Sequence, residues 1–216
     1  MRRKLLFFIT MLLLSIGASA QFLEYQLGMK ASVGMDWMDT YCDNFKEKNK
    51  NGVCYKFGLT GTYYFKESYG ITSGFNIVKS SFSNIYKFED QQLTYNFNNS
   101  YLQIPVLLKM RTGTFSQRLR FFSEIGYGLD IMVKCRDSYG WDDAEVDGFK
   151  LPEYRALSNS FILHVGLEIE VMNTSTLLVM ISYDDFFTNI IKIKRNEYFG
   201  NSLTMNNLCL EIGFLF

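Results

Sequence analysis

Period-two alternation of apolar and polar residues, sustained over eight separate segments, is the property that most restricts how this chain can fold. Across residues 23–37 every odd position is apolar, with Glu24, Gln26, Gly28, Lys30, Ser32, Gly34 and Asp36 between them. Successive side chains of a strand point to opposite faces, so this segment reads as a strand with one greasy face and one polar or small face. The pattern recurs over residues 53–65, 69–77, 102–110, 119–133, 161–171, 177–183 and 208–216. Only the seventh segment is blurred, because Leu178 and Met180 interrupt its polar face.

Strands of about 10–15 residues are longer than the usual soluble strand and suit a tilted strand crossing a bilayer. The links near 66–68, 111–118 and 173–176 are short, those near 39–52, 83–98, 135–158 and 187–202 are long, and the two kinds alternate. With both termini in the periplasm, the short links become periplasmic turns and the long ones external loops. An even number of strands lets the sheet close, which lipid demands because it offers the backbone no hydrogen-bond partners. The expected fold is all-β: an eight-stranded antiparallel up-and-down transmembrane β-barrel occupying residues 21–216.

A soluble barrel also alternates, with its apolar face inward, so volume has to decide between the two. An eight-stranded barrel is just wide enough inside to be filled by side chains or to hold one small ligand; about 40 large apolar residues cannot share that space and must face outward. The opposite face then lines the lumen. It carries Lys30, Lys56, Lys109, Arg120, Glu124, Asp130, His164, Glu168 and Glu211 among many glycines, charges that are costly to bury singly and so are expected to pair into a polar plug.

The first 20 residues stand apart. Arg2, Arg3 and Lys4 precede an apolar run over 5–14 and the small residues Ala18 and Ala20, the layout of a secretory signal peptide cleaved after Ala20. Export makes disulfides possible, and Cys42 and Cys54 flank one polar segment closely enough to staple it as a loop. Cys135 and Cys209 read as free thiols. The net charge of zero gives no electrostatic reason to expect nucleic acid as a partner.

The run YLQIPVLLKM, with Tyr101, Leu102, Ile104, Pro105 and Lys109, resembles the signature strand of the PorT-like outer-membrane β-barrel family. SEIGYG at 123–128, ISYDDFFTNI at 181–190 and the closing LEIGFLF are similar to later strands of that family. The resemblance spans essentially the whole exported chain. It implies a small barrel of the OmpA and OmpX type in the outer membrane of a Gram-negative bacterium. It also implies that Phe216, with Phe214 beside it, serves as a recognition point for the barrel-assembly machinery. No single activity is implied. Pro105, lacking an N–H, is expected to mark a bulge or a break in the strand ladder.

Residues that could carry chemistry are few. The single histidine, His164, shares a strand face with Ser160 and Glu168, but a spacing of four along a strand is about 13 Å, so any triad would need groups from other strands. Asp137, Asp142, Asp143, Glu145 and Asp147 could offer oxygen ligands to calcium, but their order is not that of an EF-hand, and a solvated acidic loop is the expected reading. No cofactor or metal motif is found. The expected partners are outer-membrane lipid, the assembly machinery and an envelope or secretion-complex protein. The expected role is non-catalytic and lies in the external loops, with a lipid-modifying enzyme or a narrow solute channel as alternatives.

Overall fold

The computed structural model describes residues 24–41, 46–88, 91–116, 118–136, 138–141, 155–172, 175–189 and 202–216. Nine strands are present among the described residues: β1 (Glu24–Tyr41), β2 (Lys46–Lys66), β3 (Tyr69–Phe88), β4 (Gln91–Arg111), β5 (Leu119–Cys135), β6 (Ser138–Trp141), β7 (Leu157–Met172), β8 (Ser175–Phe186) and β9 (Ser202–Leu215). All pairings are antiparallel, and β1 closes the wall against β9, so eight strands form a complete barrel. The ninth, β6, is short and continues the line of β5 along β4. It falls in a segment that the sequence pattern leaves as a connection.

Strand register fixes the shape. Stepping from partner to partner, Gly70 leads to Lys109, Glu124, His164, Ser182, Cys209, Gly34, Cys54 and then Ser80, ten residues farther along the strand on which the walk began. A stagger of ten over eight strands, with a rise of about 3.3 Å and a strand spacing of about 4.8 Å, gives a tilt of about 41° and a radius of about 8 Å. Such a tube is filled by its own side chains.

Alternation sets the two surfaces as the volume argument requires. On β3 the outward side chains Tyr69, Ile71, Phe75 and Ile77 are exposed and apolar, whereas the next outward positions, Lys79 and Ser81, are polar. On β4 Val106, Leu108 and Met110 are outward, and Asn98 and Asn96 follow beyond them. The apolar stretch on β3 spans nine residues, about 22 Å along the barrel axis at this tilt, close to the roughly 25 Å apolar band of a transmembrane barrel.

One expectation changes, and at Pro105 one of the two expected outcomes is seen. The segment near 83–98 is largely strand rather than loop: β3 and β4 stay paired out to Phe88↔Gln91. Beyond the apolar band the outward residues Lys79, Ser81, Asn96 and Asn98 are polar and Phe82 and Phe97 turn inward, so the apolar parity that marks a membrane strand is lost although the ladder continues. At Pro105 the structure shows a break but no bulge. The β3–β4 pairing stops at Ser73↔Val106 and resumes in the same register at Asn76↔Gln103, and Ser73 Oγ donates to the Pro105 carbonyl at 2.9 Å. The nearby bulge lies on the other side of β4, between Ser100 and Tyr101 against β5.

Candidate functional site: the polar lumen

Even positions of β1 and β2 and their counterparts around the wall point inward, which gathers charges that are far apart in sequence. Lys109 is fully buried and lies between two carboxylates, 2.7 Å from Glu168 and 3.5 Å from Glu124. Its ammonium also sits 4.5 Å from the centre of the Phe122 ring. Glu124 is engaged by His164 Nδ1 at 2.8 Å and accepts from Thr72 Oγ1 at 3.1 Å. Glu168 accepts from Tyr64 Oη at 3.3 Å and lies 3.9 Å from Arg111, whose guanidinium stacks 3.8 Å from the centre of the Tyr64 ring. Lys30 pairs with Glu211 at 2.8 Å.

A second group lies nearer the end of the barrel that carries the long connections. Lys56 pairs with Asp184 at 2.6 Å, and Asp184 also accepts from Gln103 at 2.9 Å and Ser182 at 3.1 Å. Ser160 donates to Asp130 at 2.7 Å, and Ser80 donates to Asp36. Taking charges out of water costs several kcal/mol per ion, and the pairing of Lys30, Lys56 and Lys109 with carboxylates offsets part of that cost.

Apolar side chains close the tube beyond these polar groups. Phe82 and Phe97 stack with centroids 4.7 Å apart at the long-connection end, where Tyr101, Phe186, Met38 and Met205 are also buried. Near the short-turn end Phe122, Leu178, Met180 and Leu215 form one buried cluster. The two residues that interrupt the seventh segment's polar face are therefore luminal plug residues.

Most luminal residues expected from parity lie in this network: Lys30, Lys56, Glu124, Asp130, His164, Glu168 and Glu211 are all buried. Arg120 is a correction. It sits at the short-turn rim, partly exposed, paired with Glu170 at 2.8 Å and donating to Thr114 at 3.0 Å. Parity gives the face but not the height, and this row of the wall has already left the lumen there. Cys54 is a second correction, a free buried thiol turned into the lumen rather than stapled to Cys42. Cys42, residues 1–20 and Asp137, Asp142, Asp143, Glu145 and Asp147 of the acidic segment lie outside the described residues.

Among the residues of the YLQIPVLLKM run, Tyr101, Pro105 and Lys109 are buried on the inner face, while Leu102 and Ile104 lie half-buried on the outer one. Phe214 and Phe216 are exposed on the outer surface, and the Phe216 amide donates to the Leu27 carbonyl at 2.8 Å across the closing seam. Asp36, Asp184, Gln103 and Tyr64 are network members that sequence reasoning missed. Asp184 was within reach, since it extends the polar parity of the seventh segment by one step beyond Ser182.

The family model for the outer membrane protein beta-barrel domain matches residues 8–213. The chain belongs to this family. As an outer-membrane β-barrel it resides in the outer membrane of a Gram-negative bacterium. No curated protein matches its sequence. Among solved structures it is similar to OprG of Pseudomonas aeruginosa, at 10% identity and a TM-score of 0.45, covering 89% of this chain and 95% of OprG. Ail of Yersinia pestis follows at 11% and 0.41, covering 89% and 99%. The outer membrane enzyme PagL gives 13% and 0.41, covering 86% and 97%. Likenesses at this level do not carry a role from one barrel to another.

Proposed function

We propose that this outer-membrane barrel is a non-catalytic member of the PorT-like group that works through its long-connection end as a docking element of the cell envelope. The observation that carries this reading is the part of the wall that outruns the membrane. β3 has 20 residues and β4 has 21, so at the barrel's tilt each rises about 50 Å, twice the apolar band. Above that band β2, β3, β4 and β6 remain paired as one small sheet, whereas β1 leaves β2 at Asp36↔Gly52 and continues against β9 alone. Among the described residues the sheet therefore has two open edges, along Lys46–Lys50 of β2 and along β6. Unpaired strand edges are templates for pairing with another chain.

In this reading the long connections face outward from the cell and both termini lie in the periplasm. The partner is an envelope or secretion-complex protein, and Phe216 serves barrel assembly. A filled lumen supports neither a channel nor a luminal enzyme. His164 and its carboxylate Glu124 are both buried between the apolar plugs. The test is labelling of single cysteines placed at Ser83 and Asn96 with a membrane-impermeant maleimide on intact cells, followed by crosslinking from the same positions. Labelling without permeabilisation and capture of an envelope protein are expected. Labelling only after permeabilisation reverses the orientation, and loss of His164 abolishing a lipid modification would replace docking by catalysis.

A further inference from the structure

Four sulfur atoms line one side of the lumen in a column that neither the polar plug nor a docking role uses. Met38 and Met205 are direct register partners on β1 and β9, both buried in the upper apolar layer. Below them Cys209 of β9 and Cys54 of β2 flank the same residue of β1, since both are register partners of Gly34. Gly34 is what lets the two thiols meet: a Cβ added there would stand 2.7 Å from Cys209 Sγ and 2.1 Å from the Leu208 carbonyl oxygen. Both thiols are buried on the lumen side of Gly34, and Asp36 is the next inward residue of β1 beside them.

This contact does not suit a disulfide. The two residues are separated by a whole intervening strand, so their Cα atoms lie two strand spacings apart, about 9–10 Å, beyond the roughly 7 Å that a disulfide can span without moving backbone. A bridging metal relaxes that limit. With metal–sulfur bonds of about 2.3 Å, two thiolates sit about 3.8–4.6 Å apart, depending on the angle at the metal. Ligand softness then selects the ion: thiolate and thioether donors together favour copper in its +1 state.

We propose that Cys54 and Cys209 form a luminal binding site for a soft monovalent cation of the copper(I) class, with Met205 and Met38 as the thioether steps leading to it from the long-connection end. Met205 Sδ lies 3.2 Å from Ser80 Oγ, and Ser80 bonds Asp36, the inward residue of β1 between the methionine pair and Gly34. Binding replaces two S–H bonds by two S–metal bonds and releases two protons. Asp36 takes the one from Cys54, and the other leaves with solvent. The metal bis-thiolate carries one negative charge in place of the one that Asp36 gives up on protonation, near the Lys56 ammonium that pairs with Asp184. Asn207, fully buried two residues from Cys209, has a carbonyl oxygen that accepts no hydrogen bond and stands beside the site.

The test uses the full exported chain, folded in detergent micelles, reduced with a phosphine and kept anaerobic. Copper(I) bound to bicinchoninate is titrated in, and chelator bleaching reports transfer. Transfer of one equivalent is expected, with sulfur as the nearest scatterer in copper-edge X-ray absorption. C54S and C209S, checked for folding by heat-modifiable migration, are each expected to lose at least 100-fold in affinity. M205L is expected to lose about tenfold, and C135S to bind as the parent does. Parent protein that leaves copper with the chelator overturns the proposal. So does binding through nitrogen or oxygen alone, or a folded C54S or C209S that binds as the parent does. The absorption spectrum of the parent decides the matter even if both cysteine variants fail to fold.

Discussion

Replacing Lys109 by methionine tests whether the luminal charges form one interdependent network. The substitution keeps the length of the side chain but removes the only cation lying between Glu124 and Glu168, at 3.5 and 2.7 Å among the described residues. Glu124 keeps His164 and Thr72 and Glu168 keeps the Tyr64 hydroxyl, but the remaining cation near Glu168, Arg111, is 3.9 Å away. Stripping one partner from a buried ion pair costs about 3–5 kcal/mol, because the orphaned charge stays desolvated. With an unfolding slope of about 2 kcal/mol per molar urea, K109M should unfold about 2 M earlier than the parent. The assay is urea unfolding in detergent micelles, followed by tryptophan fluorescence and heat-modifiable migration. K109M/E168L, which removes the orphaned carboxylate as well, should recover at least half of the loss. A K109M midpoint within about 0.3 M of the parent, or a double variant less stable than the single one, would refute the reasoning.

Further outcomes follow from the outer surface, the plug and the seam. Ile181→Arg puts a charge on the exposed face near the middle of the apolar band and should cost about 2–4 kcal/mol in lipid vesicles, whereas a water-facing site would show almost none. Phe97→Ala, which deletes half of the stacked pair with Phe82, should cost about 3–5 kcal/mol by the same urea assay, and a loss under 1 kcal/mol would mean that the upper layer is not packed. Deleting Phe216 removes both backbone bonds to Leu27 and should lower the yield of folded barrel in the outer membrane. Unchanged yield would separate this residue from assembly. In planar bilayers the parent protein should show no steady conductance, and stable open channels would contradict a filled lumen.

Much of this architecture was legible because the signal of a membrane strand is simple: outward side chains meet hydrocarbon, inward ones do not, and parity alone sorts them. Lys30, Lys56, Glu124, His164 and Glu211 could be assigned to the lumen on that basis. Other features depend on quantities that parity does not contain. Arg120 shares the face of Glu124 but sits at the rim, because height depends on the stagger of the whole barrel. The long β3–β4 ribbon was hidden because its outward residues there, Ser81, Ser83, Asn96 and Asn98, are polar while Phe82 and Phe97 turn inward, the reverse of the parity that marks the membrane band. The meeting of Cys54 with Cys209 needs the β1–β9 seam, a contact between the two ends of the chain. Leu178 and Met180 looked like noise in a polar face, yet they are buried against Phe122 and Leu215.

The central claim is that hydrocarbon lies outside this wall and a filled lumen inside it, and nitroxide scanning of β7 in lipid vesicles tests it most directly. Single labels at residues 161–171 would be read for collision with oxygen, which concentrates in lipid, and with a water-soluble nickel chelate. Labels replacing Phe161, Val165 and Val171, which are exposed, should collide with oxygen, whereas those replacing Ile162, His164 and Glu168, which are buried, should be sheltered from both reagents. A period of two in the oxygen signal, with no nickel signal at the sheltered positions, is the expected result. Nickel access at 162, 164 and 168, or oxygen access without alternation, would contradict it.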